Sequence, residues 1–242
     1  MALNIQIFKT RALTALLFVA VMLTGLLWNF WSFLILFTVI HFGCWFEFVK
    51  LMKKIYAEKY LKYCVFGLLY ISLPVLLMFF LQEKSIMTFS TDVSAAPCFP
   101  PFEDAGSFRF TVLVFVIAAI WINDTMAYLV GSFIGKTALT KISPKKTWEG
   151  TAGGAILAVT VAVLFAWSFK LNILHVSILT AIIAISGTLG DLFESKLKRM
   201  ANVKDSGSFM PGHGGFLDRF DSLLFAVPAV WVYVYFFLKL TE

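Results

Sequence analysis

Apolar residues in this chain are gathered into long blocks, and short polar segments separate the blocks. A bilayer core about 30 Å thick requires about 20 apolar residues in helical conformation. Blocks of about that length predict membrane-spanning helices near 12–28, 30–49, 61–81, 109–132, 151–169, 173–193 and 220–238. We therefore predict an all-α, polytopic integral membrane protein with about seven to nine transmembrane helices. Pro74 falls inside the third block and predicts a local kink there.

The polar segments divide this single membrane domain into two parts. Residues 1–108 hold the N-terminal helices and an outer loop at 82–108, in which we recognise no chemical motif. Residues 109–242 hold two polar segments, at about 136–150 and 191–221, which are rich in charge and glycine. We predict that the second part is the catalytic region.

The composition supports a membrane protein. Of the 242 residues, 60% are hydrophobic and 14% are charged, whereas a soluble domain has about 45–50% apolar and about 25% charged residues. Cys44, Cys64 and Cys98 are far apart and show no C-x-x-C spacing. This spacing argues against a disulfide framework or a zinc site.

The distribution of basic residues predicts the orientation in the membrane. If the N-terminus is cytoplasmic, only Lys84, Arg109, Lys170 and Lys239 of the 20 basic residues fall outside. Cytoplasmic loops of membrane proteins carry such an excess of lysine and arginine. The net charge of +6 therefore reflects topology, and we expect no nucleic-acid partner. We expect a multi-pass protein of the inner (cytoplasmic) membrane, and a retained first helix rather than a cleaved signal peptide.

The segment after the sixth block continues its helix and carries charge on one face. Asp191, Glu194, Ser195 and Lys198 are spaced i, i+3, i+4 and i+7, so they lie on the same side of a helix. Two carboxylates at a membrane boundary cost free energy unless a cation pairs with them. Mg²⁺, which binds carboxylate and phosphate oxygens, would do so. An ordinary charged helix end is the alternative.

The glycine-rich segment that follows is suited to binding phosphate. Glycines around His213 allow backbone amides to approach phosphate oxygens closely. Asp218 and Asp221 come where the last helix should begin, and Asp218 is expected to face Asp191. The alternative is a flexible loop with helix-capping acids. His213 alone is weak evidence.

Two further polar segments are candidates for substrate binding. Lys145 and Lys146 precede Thr147, Trp148 and Glu149, which favours a specific phosphate contact. The paired lysines alone fit the positive-inside rule or binding to anionic lipid head groups.

The fourth block ends with Asn123 and Asp124, and an ionisable residue at the edge of a span is a functional candidate. Gly131 and Gly135 after it predict close helix packing or a bend. We interpret His41 and Glu47, in the second block, as structural.

The stretch 195–221 resembles the signature of phosphatidate cytidylyltransferases, also called CDP-diacylglycerol synthases. It reads S-K-L-K-R-M-A-N-V-K-D-S-G-S-F-M-P-G-H-G-G-F-L-D-R-F-D. The matching residues are Ser195, Lys198, Arg199, Lys204, Asp205, Gly207, His213, Gly214, Gly215, Asp218, Arg219 and Asp221. Two weaker features, N-D-x-x-A-Y and S-P-K-K-T-W-E-G, precede it in the expected order. The resemblance covers roughly residues 121–221, and the first hundred residues match only as hydrophobic spans.

This resemblance implies transfer of the cytidylyl group of CTP to phosphatidic acid, giving CDP-diacylglycerol and pyrophosphate, with Mg²⁺. The catalytic residues it implies are Asp191, Asp218, Lys204 and His213. The substrate-binding residues are Lys145, Lys146, Ser195, Lys198, Arg199, Arg219, Asn123 and Asp124. The metal ligands are Asp191 and Asp218, with Glu194 and Asp221 in support. A second cation and a homodimer are left open, as is the individual role of each lysine.

Other functions fit the sequence less well. A CDP-alcohol phosphatidyltransferase should show the pattern D-G-x-x-A-R…G-x-x-x-D, which we do not find. A CTP-using lipid kinase or an archaeal-type CDP-lipid synthase is a closer chemical relative. A transporter would need polar residues at mid-membrane depth, whereas the charges here gather at one face.

Overall fold

A computed structural model of the chain describes residues 5–83, 111–209 and 214–237, with side chains from Leu13 onwards. The helices are α1 (Ile5–Leu27), α2 (Phe30–Tyr56), α3 (Tyr60–Cys64), α4 (Leu73–Glu83), α5 (Val112–Ile134), α6 (Trp148–Ser168), α7 (Ile173–Met200) and α8 (Leu217–Phe237). A 3₁₀ turn, Ala57–Lys59, and a π-helical turn, Leu68–Ser72, lie between them. An isolated antiparallel β-bridge pairs Ala138 with Thr147.

The predicted fold class is confirmed. Among the residues that the structure describes, five helical regions are long and apolar enough to cross a membrane, namely Phe30–Cys64, Val112–Ile134, Trp148–Ser168, Ile173–Met200 and Leu217–Phe237. Two shorter apolar helices, Leu13–Leu27 and Leu68–Glu83, fall where the remaining two spans are predicted. The outer loop predicted at 82–108 lies outside the described residues from position 84 on, as does the domain boundary predicted at 108–109.

The chain divides into two compact units. The first unit comprises Met1–Val75 and Lys196–Phe220, and the second comprises Leu76–Ser195 and Asp221–Glu242. Helices α4, α7 and α8 therefore contribute residues to both.

In the first unit, α2 starts at a capping box. The Asn29 side chain accepts the Ser32 N–H at 2.7 Å, and Ser32 Oγ accepts the Asn29 N–H at 3.1 Å. These bonds satisfy donors that a helix start otherwise leaves open. Phe33 and Phe37, one turn apart, pack with ring centroids 4.8 Å apart in the core of the unit.

The helix type changes just before Pro74, where a kink is predicted. Residues Leu68–Ser72 form a π-helical turn, and the α-helical pattern resumes at Leu73. Proline has no N–H and its ring crowds the carbonyl four residues earlier, so the turn before Pro74 cannot keep a regular α-helical ladder.

In the second unit, α5 and α6 pack closely through small residues. A Cβ atom added to Gly154 would lie 2.6 Å from the Ala127 Cβ, and one added to Gly153 would lie 2.6 Å from Val130 Cγ1. Gly131 faces Gly150 in the same contact. Close approach of helix backbones at small residues is typical of membrane proteins, so the close packing predicted at Gly131 is confirmed.

Candidate active site

Asp218 is the centre of a polar cluster in the first unit. Its Oδ1 accepts a hydrogen bond from Lys198 Nζ at 2.6 Å, and the two side chains are 10% and 13% exposed. Its Oδ2 accepts the N–H of Ser206 at 2.9 Å, the Ser206 hydroxyl at 2.9 Å and the N–H of Gly215 at 2.7 Å. One carboxylate thus joins the end of α7, the segment after it and the start of α8.

The turn after α7 brings these groups together. Asn202 adopts a left-handed conformation with φ of 52°, which ends the helix. The N–H of Val203 then bonds back to the Lys198 carbonyl at 2.9 Å, and an Arg199 guanidinium N–H donates to the Val203 carbonyl at 3.3 Å. The chain therefore reverses directly after Met200, the end of α7, and returns Ser206 towards Asp218.

Gly214 is required by its conformation and by the space around it. Its φ is +84°, a region that side chains disfavour. A Cβ atom there would also lie 2.6 Å from Asp218 Oδ2. A carboxylate of the protein itself is therefore the close neighbour of this glycine, and the predicted approach of the segment to phosphate oxygens stays a prediction.

Glu47 belongs to the same cluster, and sequence reasoning did not place it there. It is 4% exposed on α2. Its Oε2 accepts the Ser206 hydroxyl at 2.7 Å and the Leu217 N–H at 2.9 Å, and its Oε1 accepts the Phe216 N–H at 3.0 Å. An acidic residue within an apolar span signals that a partner exists, but the spacing along the chain does not identify one 159 residues away.

The other predicted site residues of this unit are basic and exposed. Arg199, Lys204 and Arg219 all have exposed side chains, as phosphate-binding groups would need. His213 lies outside the described residues, so its predicted catalytic role stays a prediction.

Asp191 is the corresponding carboxylate in the second unit. Its Oδ2 forms an ion pair with Lys146 Nζ, with side chains 31% and 29% exposed. Its Oδ1 accepts the Ser195 hydroxyl at 3.2 Å, as the i, i+4 spacing predicts.

Lys146 is carried by a short folded segment before α6. The Leu139 N–H donates to the Lys146 carbonyl at 2.7 Å. Thr147 caps α6 by accepting the Gly150 N–H at 3.1 Å, and Glu149 accepts the Thr137 N–H at 3.2 Å. The sequence pattern at Thr147 and Glu149 favours a phosphate contact, but in the structure both side chains stabilise the backbone around Lys146. Lys145 is exposed.

The remaining predicted residues of this unit differ widely in burial. Asn123 is 5% exposed and donates to the exposed Asp124 at 3.4 Å. Glu194 is completely buried. Asp221 is 8% exposed, and its Oδ1 accepts the N–H of Ser222 at 2.6 Å.

The predicted metal ligands are all carboxylates, a donor set that fits a hard cation such as Mg²⁺. Asp191 and Asp218 each already form an ion pair with a lysine ammonium group, so a metal at either carboxylate would have to displace that lysine or share the carboxylate with it. In the described ranges no group of three or more His, Cys, Asp or Glu residues is arranged to hold a metal. Asp191 and Asp218 belong to different units, and their convergence on one metal stays a prediction.

Asp191 and Asp218 both lie in a region that is similar to known proteins. A family model described as "Cytidylyltransferase family" matches residues 94–237. A phosphatidate cytidylyltransferase of Bacillus subtilis (strain 168) is 44% identical over 136 residues, which is 55% of this chain and 49% of the relative. One from Staphylococcus haemolyticus is 48% identical over 119 residues, 48% of this chain and 46% of the relative. One from Synechocystis is 45% identical over 125 residues, 51% of this chain and 43% of the relative. The chain thus spans about half the length of the curated relatives it matches.

Proposed function

Because this chain belongs to the cytidylyltransferase family, we propose that it transfers the cytidylyl group of CTP to phosphatidic acid. The products are CDP-diacylglycerol and pyrophosphate, and the reaction serves phospholipid biosynthesis. Relatives named phosphatidate cytidylyltransferase, at 44% to 48% identity, support this choice of substrates.

The reaction makes one phosphorus–oxygen bond and breaks another. A phosphate oxygen of phosphatidic acid attacks the α-phosphorus of CTP, and the bond from that phosphorus to the β-phosphate oxygen breaks as pyrophosphate leaves. A phosphate monoester carries negative charge near pH 7, so no general base is strictly needed. Two anions must instead be brought together, which makes positioning and charge neutralisation the main work of the catalyst.

The observation that carries the proposal is the fixed Lys198–Asp218 pair, which lies within the matched region. Its carboxylate is held by backbone N–H groups on both sides of the glycine-rich segment. Such a charge is in position before substrate arrives and need not reorganise during the reaction. The exposed cations Lys145, Lys204 and Arg219 supply groups for the triphosphate and the lipid phosphate.

Mg²⁺ is part of the proposal. Asp191 and Asp218 would hold it, with Glu194 or Asp221 in support. As a Lewis acid, it would polarise phosphate oxygens as well as neutralise their charge. A second cation is compatible with the number of carboxylates.

The protein is a multi-pass membrane protein by its apolar helices. We propose that it lies in the inner (cytoplasmic) membrane with its N-terminus and the site on the cytoplasmic side, because that orientation obeys the positive-inside rule. Phosphatidic acid would then reach the site from the inner leaflet.

The direct test is release of pyrophosphate from CTP by the purified protein in lipid nanodiscs. Release should depend on phosphatidic acid, label from CTP should appear in the lipid fraction, and EDTA should stop the reaction until Mg²⁺ is restored. A lipid kinase would instead release CDP, and a transporter would release neither product. Either of those results overturns the proposal, and activity that ignores chelation removes its metal part.

A further inference from the structure

We propose that Glu47 is a positioning residue that fixes Asp218 by holding the segments on either side of it in the first unit. We call Glu47 together with Ser206, Gly207, Gly215, Phe216 and Leu217 the Glu47 clamp. The catalytic part of this inference rests on the proposed function, whereas the structural part does not. Glu47 lies on α2, in the part of the chain outside the resemblance to the signature.

The contacts of Glu47 span both sides of the glycine-rich segment. Ser206 donates its hydroxyl hydrogen towards Oε2 from one side, and Phe216 and Leu217 donate their N–H groups to Oε1 and Oε2 from the other. Hydrogen bonds to an ionised acceptor are about twice as strong as neutral ones. At 4% exposure, water cannot easily replace the carboxylate.

Two glycines make room for this carboxylate. For a Cβ atom added to either Gly207 or Gly215, each of the three nearest atoms belongs to Glu47. Gly215 would meet the carboxylate carbon and both oxygens. Neither glycine has the left-handed φ that Gly214 shows. Their lack of a side chain is therefore explained by the presence of Glu47, and not by the backbone conformation.

Glu47 and Asp218 contact two of the same residues, Ser206 and Gly215. Ser206 Oγ lies 2.7 Å from Glu47 Oε2 and 2.9 Å from Asp218 Oδ2, and a hydroxyl has only one hydrogen to donate. Gly215, which packs on Glu47, donates its N–H to Asp218. Displacing Glu47 would therefore loosen both Ser206 and Gly215, and with them the carboxylate that holds Lys198.

The first test compares Glu47→Gln with the control Glu58→Gln, which changes an exposed residue of the 3₁₀ turn. One end of the glutamine carries an NH₂ group, so in either orientation a donor faces Phe216 N–H or Leu217 N–H. We expect kcat to fall about 10- to 100-fold, as small misplacements of reacting groups produce, with KM for CTP little changed. The Glu58 variant should match wild type, and a Glu47→Gln variant with wild-type kcat would overturn the proposal.

The second test asks whether the glycines depend on Glu47. Gly207→Ala should lower activity strongly in the wild type but should add little in a Glu47→Ala background, because the atoms it meets are gone. Gly214→Ala is the matched control, since its Cβ would meet Asp218, and its effect should persist in both backgrounds. Equal effects of Gly207→Ala in the two backgrounds would show that residues 207 and 47 act independently, against the clamp.

Hydrogen exchange tests the Glu47 clamp independently of the proposed function. In detergent-solubilised Glu47→Gln protein, the Phe216 and Leu217 amides should exchange at least tenfold faster, a change of about 1.4 kcal/mol in the local opening free energy. Amides of α6 should be unaffected. This result would support the clamp even if the wild-type protein released no pyrophosphate, which would defeat only the proposed function. Unchanged exchange at Phe216 and Leu217 would defeat the clamp.

Discussion

Two lysine–aspartate pairs, Lys198–Asp218 and Lys146–Asp191, have the same chemistry but different surroundings. Lys198 and Asp218 are 13% and 10% exposed, and backbone N–H groups complete the shell of the carboxylate. Lys146 and Asp191 are 29% and 31% exposed, and a serine hydroxyl is the further donor to Asp191. The Lys198–Asp218 pair is therefore largely buried, whereas the Lys146–Asp191 pair is accessible to solvent.

This difference predicts different roles for the two aspartates. Removing one partner of a largely buried pair leaves an uncompensated charge and costs about 3–5 kcal/mol, whereas an exposed pair contributes about 0–1 kcal/mol. Asp218 should therefore matter for both folding and catalysis. Asp191 should matter for catalysis with little effect on folding, because a partly exposed carboxylate can exchange its lysine for a ligand.

The largest effect is expected for Asp218→Asn. The amide has no charge to pair with Lys198, and its NH₂ group opposes either the lysine or the N–H groups of Ser206 and Gly215. We expect pyrophosphate release to be abolished and the unfolding free energy to fall by about 3 kcal/mol. Thermal unfolding of the purified protein, measured beside activity, checks both. Wild-type-like turnover would remove Asp218 from the site.

Asp191→Asn should separate the two effects. Turnover should again be lost, because Asp191 is a predicted metal ligand, but the unfolding free energy should change by less than about 1 kcal/mol. Comparison of the two melting temperatures under identical conditions measures the difference. An equally large loss of stability in both variants would refute the distinction between the buried carboxylate of Asp218 and the accessible carboxylate of Asp191.

The positions of the helices and the polarity of the site could be predicted from sequence because both are local properties. Long apolar blocks give the helices, and the spacing of Asp191 and Ser195 gives their contact within one helix. The extension of α7 to Met200 and the start of α8 at Leu217 follow the same patterns.

The partners of Asp218 and Glu47 could not be predicted, because they depend on contacts between distant segments. Glu47 could be interpreted as structural, but nothing in its sequence neighbourhood indicates Ser206 or Leu217. Gly207 was noted only as a residue of the signature, and the structure shows that its lack of a side chain leaves space for Glu47. The cap formed by Thr147 is different, because it is a local contact with Gly150 that a threonine directly before a helix predicts.

Lys146→Ala should have an intermediate effect. It removes the cation beside Asp191, so we expect turnover to fall about tenfold, while the unfolding free energy changes by about 0–1 kcal/mol. Lys145→Ala is the neighbouring comparison, since Lys145 is more exposed. Its effect should appear mainly in KM for CTP if it binds the triphosphate. A larger loss of kcat in the Lys145 variant would mean that the wrong lysine has been assigned to Asp191.

The smallest effect is expected for Thr147→Val, which preserves the shape of the residue but removes the oxygen that accepts the Gly150 N–H. Loss of an N-cap costs about 1 kcal/mol, so the melting temperature should fall modestly. Thr160→Val is the control, because the exposed Thr160 hydroxyl donates to a carbonyl within α6 and caps nothing. Activity should fall only slightly in the Thr147 variant, since Lys146 remains present. If Thr147→Val instead abolished turnover with no loss of stability, Thr147 would contact substrate directly, and the segment before α6 would be as firmly committed to catalysis as the cluster around Asp218.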